Sequence, residues 1–188
     1  MKKDRKNIIL ESLAAMLEEK NMSKITTSSL AEKSNITEAA LYRHFPSKRS
    51  IYAELFSFCD DTIFAKCNEL KKEKISAQEK VKKIFIFFML FIEKNKGFAR
   101  LLSREALSSA EQNVSDNVNQ FYERFELVLR QMLKEDEKNL TTQAGISAQL
   151  IITVLEGNIG RYIRSKFKDS PSTYIENIWA CLLYTSDA

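Results

Sequence analysis

The chain has 188 residues, of which 44% are apolar, and it contains only four glycines and two prolines. This length and composition allow one large or two smaller domains, and the shortage of helix-breaking residues favours an all-α protein. The charged first residues argue against a signal peptide, and the longest apolar run, 84–92, is too short to span a bilayer. Because the three cysteines lack metal-ligand spacing, we expect a cytoplasmic protein without a metal site.

The net charge of +4 is concentrated at one end of the chain. Residues 1–50 hold ten Lys/Arg against six Asp/Glu, whereas residues 51–188 hold nineteen of each. A positive excess confined to the N-terminal quarter is typical of a segment that binds a polyanion. The charge distribution therefore indicates a nucleic-acid-binding N-terminal region.

Three helices are predicted before the first proline. Apolar residues recur at helical spacing over Asp4–Lys20. After a polar turn, Thr26 or Thr27 can cap a short second helix, and Thr37 can cap a third, EAALYRHF. Pro46 ends the third helix.

Longer helices are predicted after Pro46, together with a short segment, FARLLSR, that gives about nine helices in all. We expect Gly97 to mark the C-terminus of the helix that precedes this segment. The predicted bounds of the longer helices are about 47–70, 76–97, 106–134, 141–167 and 171–179.

The last eight residues, CLLYTSDA (181–188), have a separate interpretation. Their pattern does not continue the amphipathic helix that precedes them, and the bases TGTCTCTTATACACATCTGACGCT, which look like a transposon sequencing adapter, encode the same residues. We therefore interpret 181–188 as an adapter-derived tail, with a genuine polar tail as the alternative.

Two short capped helices joined by a turn of three or four residues are a helix-turn-helix, here over residues 26–45. The second helix of such a motif enters the major groove of DNA. Helical spacing turns one set of side chains inward and another outward. The inward set is Ala40, Leu41 and Phe45, and the outward set is Ala39, Tyr42 and Arg43.

The outward side chains suit contact with DNA. The Tyr42 hydroxyl can reach a phosphate, although a rim aromatic is the alternative, and Arg43 can pair with a phosphate or a guanine edge. Lys48 begins the following helix, where free N–H groups favour a phosphate. His44 is predicted either to pack or to touch a phosphate. The predicted DNA-binding residues are Thr26, Thr27, Thr37, Glu38, Ala39, Tyr42, Arg43, His44 and Lys48.

The segment ITTSSLAEKSNITEAALYRHFPSKRSIYAEL resembles the DNA-binding domain of the TetR family. The continuation through EKNKGFARLL, NQFYERFELVLRQML and EGNIGRYIRSKFKDSP is similar to the nucleoid occlusion factors of that family. The resemblance covers essentially residues 5–179. It implies a TetR-like fold with a three-helix DNA-binding domain over 3–63 and a helical dimerisation and partner-binding domain over 64–180.

The resemblance also implies a function. It implies a cytoplasmic, nucleoid-associated homodimer that binds palindromic chromosomal sites without a cofactor, a small-molecule ligand or a membrane. Bound to DNA, such a protein antagonises polymerisation of the tubulin-like division protein FtsZ and keeps the septum off the nucleoid.

The family binds the C-terminal tail of FtsZ along its fourth and fifth helices. Carried over to this sequence, the groove comprises Phe58, Lys66, Phe87, Leu90, Lys94 and Asn95. The family pattern has arginine at the positions of Lys66 and Lys94 and glycine at the position of Leu90. The leucine side chain in place of glycine narrows the groove in this sequence. The alternative for Phe87 and Leu90 is plain core packing.

The helix around Glu156–Lys168 is predicted to form the dimer interface. Gly157 and Gly160 permit close helix approach, and Ile163 supplies apolar contact. The alternative is that these glycines pack only against helices of the same chain.

Two other classes of protein compare with this function as follows. A TetR-type repressor released by a small apolar ligand is the alternative function. An enzyme is not expected, because the sequence contains no carboxylate pair, Ser-His-Asp set, phosphate-binding glycine loop or metal cluster that could form a catalytic site.

Overall fold

The computed structural model describes residues 4–19, 25–140 and 142–183. Within these ranges the chain forms nine α-helices and two 3-10 turns, Ser109–Glu111 and Glu137–Asn139, and contains no strand. The predicted all-α fold of about nine helices is therefore confirmed. The helices are α1 (Arg5–Glu18), α2 (Thr27–Lys33), α3 (Glu38–His44), α4 (Lys48–Lys71), α5 (Ala77–Lys94), α6 (Lys96–Leu102), α7 (Gln112–Lys134), α8 (Ala144–Arg164) and α9 (Ile175–Leu183).

Contacts divide the chain into two compact units, and neither is continuous in sequence. The first unit comprises Met1–Asp60 and Asn95–Val118, and the second comprises Asp61–Lys94 and Asn119–Ala188. Both α4 and α7 therefore contribute residues to each unit. The division into functional domains at residues 63 and 64 stays a prediction, because these units are defined by contacts alone.

In the first unit, α1 packs closely against α6. A Cβ atom on Gly97 would lie 2.6 Å from the backbone oxygen of Ala14, a distance that side-chain carbons essentially never adopt. Gly97 lies inside α6 with an ordinary negative φ, so the prediction that it ends a helix is wrong. Glycine is needed here because the two helix backbones approach each other, and not because a helix terminates.

Arg100, also on α6, is buried and satisfies the end of α1. Its Nη1 atom donates to the backbone oxygen of Leu17 at 2.9 Å and also to that of Glu19. The last carbonyl groups of a helix lack partners within the helix. The Arg100 guanidinium supplies those partners from a residue that lies more than eighty positions further along the chain.

In the second unit, the apolar run 84–92 lies in α5 and faces an aromatic cluster. The Phe88 ring centroid lies 6.5 Å from that of Phe121 and 5.6 Å from that of Phe125, and the Phe64 ring is in a T-shaped arrangement with each of these two rings. The buried residues of the run are Ile84, Phe85, Phe88, Met89 and Ile92. No helix within the described residues is both long and apolar enough to cross a membrane.

The start of α7 differs from the prediction. The helix begins at Gln112 and not near Ala106, because Ser108 and Glu111 form a capping box that initiates a 3-10 turn. The Glu111 carboxylate accepts from the Ser108 N–H at 3.0 Å and also from the Ser108 hydroxyl. This S-x-x-E spacing is a readable helix-start signal that the sequence interpretation missed.

The bounds of α8 also differ from the prediction. It begins at Ala144 after Gln143, whereas the sequence predicted a start at Thr141 or Thr142, of which Thr141 lies outside the described residues. It ends at Arg164 and not at Phe167, because Lys166 and Phe167 adopt positive φ values of 57° and 61°. Left-handed backbone terminates a helix.

The final helix, α9, extends further than predicted. It begins at Ile175 and not near Pro171, and it continues through Cys181 to Leu183, so the predicted bounds of about 171–179 are wrong at both ends. The Trp179 ring centroid lies 5.6 Å from that of Phe85, so α9 packs against the core of the second unit. Residues 184–188 lie outside the described residues, and the origin of 181–188 stays a prediction.

Candidate nucleic-acid and partner interfaces

Thr26, and not Thr27, caps α2. The Thr26 hydroxyl accepts from the Ser29 N–H at 3.1 Å, and the Ser29 hydroxyl accepts from the Thr26 N–H at 2.9 Å. This reciprocal pair satisfies two backbone donors that the helix itself leaves unpaired. The pair fixes the position at which the first helix of the predicted motif begins.

The second helix of the motif, α3, has the two faces that were predicted. The Thr37 hydroxyl accepts from the Ala40 N–H at 3.2 Å and caps the helix. Ala40, Leu41 and Phe45 are buried. The exposed residues are Glu38, Ala39, Tyr42, Arg43 and His44, so the alternative of a packed His44 imidazole is excluded.

Hydrogen bonds between exposed side chains connect α2 to α3. The Thr27 hydroxyl donates a short hydrogen bond to Glu38 Oε1, and the Tyr42 hydroxyl donates to Thr27 Oγ1 at 3.4 Å. Three of the predicted DNA-binding side chains therefore orient one another on the surface. A hydroxyl in this position can donate to a phosphate or a base edge, and a carboxylate can accept from the amino group of cytosine.

Lys48 begins α4 and is restrained by a buried carboxylate. Its Nζ atom lies 3.7 Å from Glu111 Oε1 and 5.3 Å from the centroid of the Tyr52 ring. Burial, reinforced by the Glu111 charge, raises the pKa of the Tyr52 phenol. The sequence interpretation selected Lys48 but missed Glu111, although the Ser108 to Glu111 spacing is a signal that could have indicated it.

Two of the predicted partner-binding residues lie together in the first unit. Phe58 is 58% exposed, and its ring stacks on that of Phe98 with centroids 6.0 Å apart. Phe58 and Asn95 line a cavity of about 340 Å³ whose apolar wall includes Leu10 and Leu55. A large aromatic side chain exposed beside an apolar cavity is typical of an interaction surface.

The other predicted partner-binding residues lie in the second unit. Lys66 Nζ is 5.9 Å from the centroid of the Phe87 ring, and the same ammonium group pairs with Glu69 Oε1 at 2.8 Å. Phe87 stacks on Phe91 at 6.2 Å, and this second aromatic residue was missed by the sequence interpretation. Leu90 is 41% exposed and Lys94 is exposed, so full core packing of Leu90 is excluded.

The predicted dimer residues lie on α8. Apart from the backbone of its own helix, no described residue comes within 4 Å of a Cβ atom added to Gly157, whereas an added Cβ on Gly160 would lie 3.1 Å from the Arg164 side chain of the same helix. Ile163 is half-buried. The alternative that these glycines pack only against helices of the same chain is therefore excluded for Gly157.

Of the three cysteines, Cys181 is exposed and the other two are buried. No cluster of three or more metal-ligating side chains occurs within the described residues. Cys59 and Cys67 are buried, and burial raises the pKa of both thiols, that of Cys67 to about 12. A thiol with so high a pKa is not a nucleophile near neutral pH.

Two family models match the chain. The model described as "Bacterial regulatory proteins, tetR family" matches residues 9–55, and the SlmA-like model described as "Tetracyclin repressor-like, C-terminal domain" matches residues 76–186. Among curated proteins, the nucleoid occlusion factor SlmA of Vibrio vulnificus strain YJ016 is 35% identical over 186 residues, which is 96% of this chain and 95% of the relative. SlmA of Vibrio cholerae is 34% identical over 95% of this chain and 94% of its own length.

Solved structures support the same fold. A transcriptional regulator FadR from Bacillus subtilis, in complex with stearoyl-CoA, matches with a TM-score of 0.79 at 14% identity and covers 96% of this chain and 99% of its own. A TetR transcriptional regulator from Legionella pneumophila matches with a TM-score of 0.73 at 21% identity over 97% of both chains. The chain is a DNA-binding regulator and not an enzyme. Nearly full-length similarity at about one-third identity, together with both family models, means that it belongs to the SlmA family of TetR-type proteins.

Proposed function

We propose that this protein is a nucleoid occlusion factor: a homodimer that binds specific chromosomal sites and, when bound to DNA, binds FtsZ and antagonises its polymerisation. The observation that carries the proposal is the extent of the similarity to SlmA proteins, which includes the region beyond the DNA-binding domain. The proposed location is the nucleoid in the cytoplasm.

The DNA-binding part of the proposal uses the exposed face of α3 and the residues beside it. Tyr42 and Thr27 orient each other there, and Lys48 contributes a cation at the start of α4. One recognition helix reads one half-site, so two copies must bind about one helical turn apart on a palindromic sequence. The full proposed set is Thr26, Thr27, Thr37, Glu38, Ala39, Tyr42, Arg43, His44 and Lys48.

The dimer part of the proposal uses α8. Gly157 is exposed with open space around it, and Ile146 and Leu150 on the same helix are 48% and 44% exposed. Apolar side chains together with glycines on one helix allow a second helix to pack at close range. We propose Gly157, Gly160 and Ile163 as interface residues.

The partner part of the proposal uses aromatic and basic side chains. Phe58 beside its apolar cavity, and Phe87 under the Lys66 ammonium group, can each accept an apolar side chain of a peptide. Lys66 and Lys94 favour a peptide that also carries acidic residues. Apolar anchors supply most of the affinity of such contacts, whereas rim charges mainly set approach rate and register. Leu90 and Asn95 complete the proposed set.

The proposal is tested by FtsZ sedimentation with GTP, with and without a DNA duplex that the protein binds. We expect the protein to reduce FtsZ pelleting only when the duplex is present. Lys66→Asp should lose this effect while keeping its affinity for the duplex, because it adds repulsion to an acidic tail. Pelleting that the wild-type protein and DNA together leave unchanged would contradict the FtsZ part of the proposal.

The ligand-responsive repressor remains the second candidate. Its favouring observation is the fold shared with FadR, whose structure contains stearoyl-CoA. Under that function, stearoyl-CoA would release the duplex, whereas a nucleoid occlusion factor should keep it. Fluorescence anisotropy of a labelled duplex during titration with stearoyl-CoA separates the two.

A further inference from the structure

The first unit contains a cavity beside the recognition helix that no predicted role explains. Its volume is about 520 Å³, and its walls come from α1, from the turn between α2 and α3, and from α3 itself. Arg5 contributes from α1, and Arg43 and Thr37 contribute from the α3 side. Two predicted DNA-binding residues therefore share a cavity with an arginine that sequence reasoning did not select.

Two arginines, Arg5 and Arg43, contribute to the lining of the cavity. Arg5 and Arg43 are both exposed, and neither pairs with a carboxylate within residues 4–19, 25–140 and 142–183. Two positive charges that line one cavity repel each other, and an anion between them would remove that repulsion. Guanidinium is planar with forked donors, a geometry that matches the oxygens of a phosphate.

The turn between α2 and α3 adds a buried polar residue, Ser34, to the lining of the cavity. Ser34 is only 5% exposed, and its buried hydroxyl has no hydrogen-bond partner in the described part of the chain. Buried polar atoms normally find a partner, so an unpaired hydroxyl on a residue that lines the cavity favours a polar occupant there. Asn35, the next residue, also lines the cavity and has a φ of 54°.

We propose that this cavity binds a backbone phosphate of DNA and that Arg5 and Arg43 are its principal ligands. The inference rests on the proposed DNA-binding function, because Thr37 and Arg43 belong to the proposed surface. It adds Arg5 as a contact residue and assigns Arg43 to phosphate, leaving base edges to other residues of α3. A contact from α1 fixes the register of the motif on the duplex, which is the role of phosphate contacts generally.

The test measures the affinity of wild type, Arg5→Ala and Arg43→Ala for a labelled duplex enriched from a random-sequence library. Fluorescence anisotropy at several KCl concentrations gives Kd and the slope of log Kd against log salt. Loss of one phosphate contact should lower that slope by about 0.9 and weaken binding about tenfold. Arg5→Lys should restore the slope because it keeps the charge, and Lys138→Ala, which removes an exposed charge from the second unit, should change neither quantity.

A neutral methylphosphonate at each backbone position then identifies the phosphate. At one backbone position, the methylphosphonate should weaken duplex binding by the wild type but should not further weaken duplex binding by Arg5→Ala. If Arg5→Ala keeps the wild-type affinity and salt slope while Arg43→Ala binds the duplex more weakly, this inference is overturned and the proposed function still stands. If the wild type binds no enriched duplex, both fail. Calorimetric titration with inorganic phosphate tests whether the cavity instead binds a free phosphate ion. If phosphate binding requires Arg5 but Arg5→Ala keeps full affinity for DNA, the cavity is a free-anion site and the inference is again overturned.

Discussion

Lys48, on the proposed DNA surface, is held in place by a buried neighbour. Lys48, which is one-third exposed, lies against Glu111, which is 3% exposed. The carboxylate is fixed in turn by the backbone and side chain of Ser108. A lysine restrained in this way loses less conformational freedom when it binds a phosphate than a free surface lysine does.

The exposed hydroxyl of Tyr42 and the ammonium group of Lys48 give the first prediction. Tyr42→Ala and Lys48→Ala should each weaken duplex binding by about 1 kcal/mol or more, and Lys48→Ala should also lower the salt slope by about 0.9. Tyr174→Ala, which removes an exposed tyrosine of the second unit, is the matched control. Gel-shift affinities of both variants equal to that of the control would rule out this face.

Thiol chemistry gives a second prediction at the residue scale. Burial raises the pKa of the Cys67 thiol to about 12 and raises that of Cys59 as well, so the reactive thiolate is scarce at both positions up to about pH 9. Exposed Cys181 should therefore react alone with a thiol reagent in the folded protein, and all three cysteines should react in denaturant. Mass spectrometry of the labelled protein checks this, and rapid labelling of Cys59 or Cys67 without denaturant would contradict it.

At the scale of helices, what the sequence could predict depends on how local the cause is. The starts of α2 and α3 were predictable because Thr26 and Thr37 cap helices through backbone groups three residues away. The outward face of α3 followed from helical spacing alone. Gly97 was misinterpreted because its cause is the approach of Ala14, which is more than eighty residues distant. Arg5 was missed for the same reason, since only the folded chain places it beside Arg43.

Close packing of α1 and α6 gives the third prediction. Gly97→Ala should lower the free energy of unfolding by about 1–3 kcal/mol, because the added carbon meets a backbone oxygen that cannot move independently. Gly145→Ala in α8 is the matched control: its Cβ would lie 3.6 Å from the Arg130 side chain, an ordinary contact, and should stabilise by up to about 1 kcal/mol. Urea denaturation measures both, and equal midpoints for the two variants would be incompatible with the close approach.

At the scale of the whole molecule, the proposed activity requires two copies of the chain. The open space around Gly157 and the exposed apolar side chains of α8 are features that a single chain does not use. If α8 joins two copies, affinity for a palindromic site depends on dimerisation, because each copy brings one recognition helix.

The fourth prediction follows from that dependence. Gly157→Leu should dissociate the dimer and weaken binding to a palindromic duplex, while helical content and melting of the single chain stay nearly unchanged, because the position has free space within the chain. Thr153→Leu, a substitution one turn earlier at an exposed position, tests how far the interface extends. Sedimentation velocity gives the oligomeric state, and a Gly157→Leu protein that remains dimeric would place the interface elsewhere.

The anchoring of α1 by Arg100 and Gly97 has a consequence for how such proteins can exchange parts. The helix-turn-helix lies within the first sixty residues, yet the packing of α1 depends on two residues of α6: the Arg100 guanidinium and Gly97, which has no side chain. A chimaera that takes only residues 1–60 from a relative would leave the foreign α1 facing an α6 shaped for another helix. Recombination that changes DNA specificity should therefore succeed when α1 and α6 are inherited together, so the transferable module is interrupted in the gene although it is compact in space.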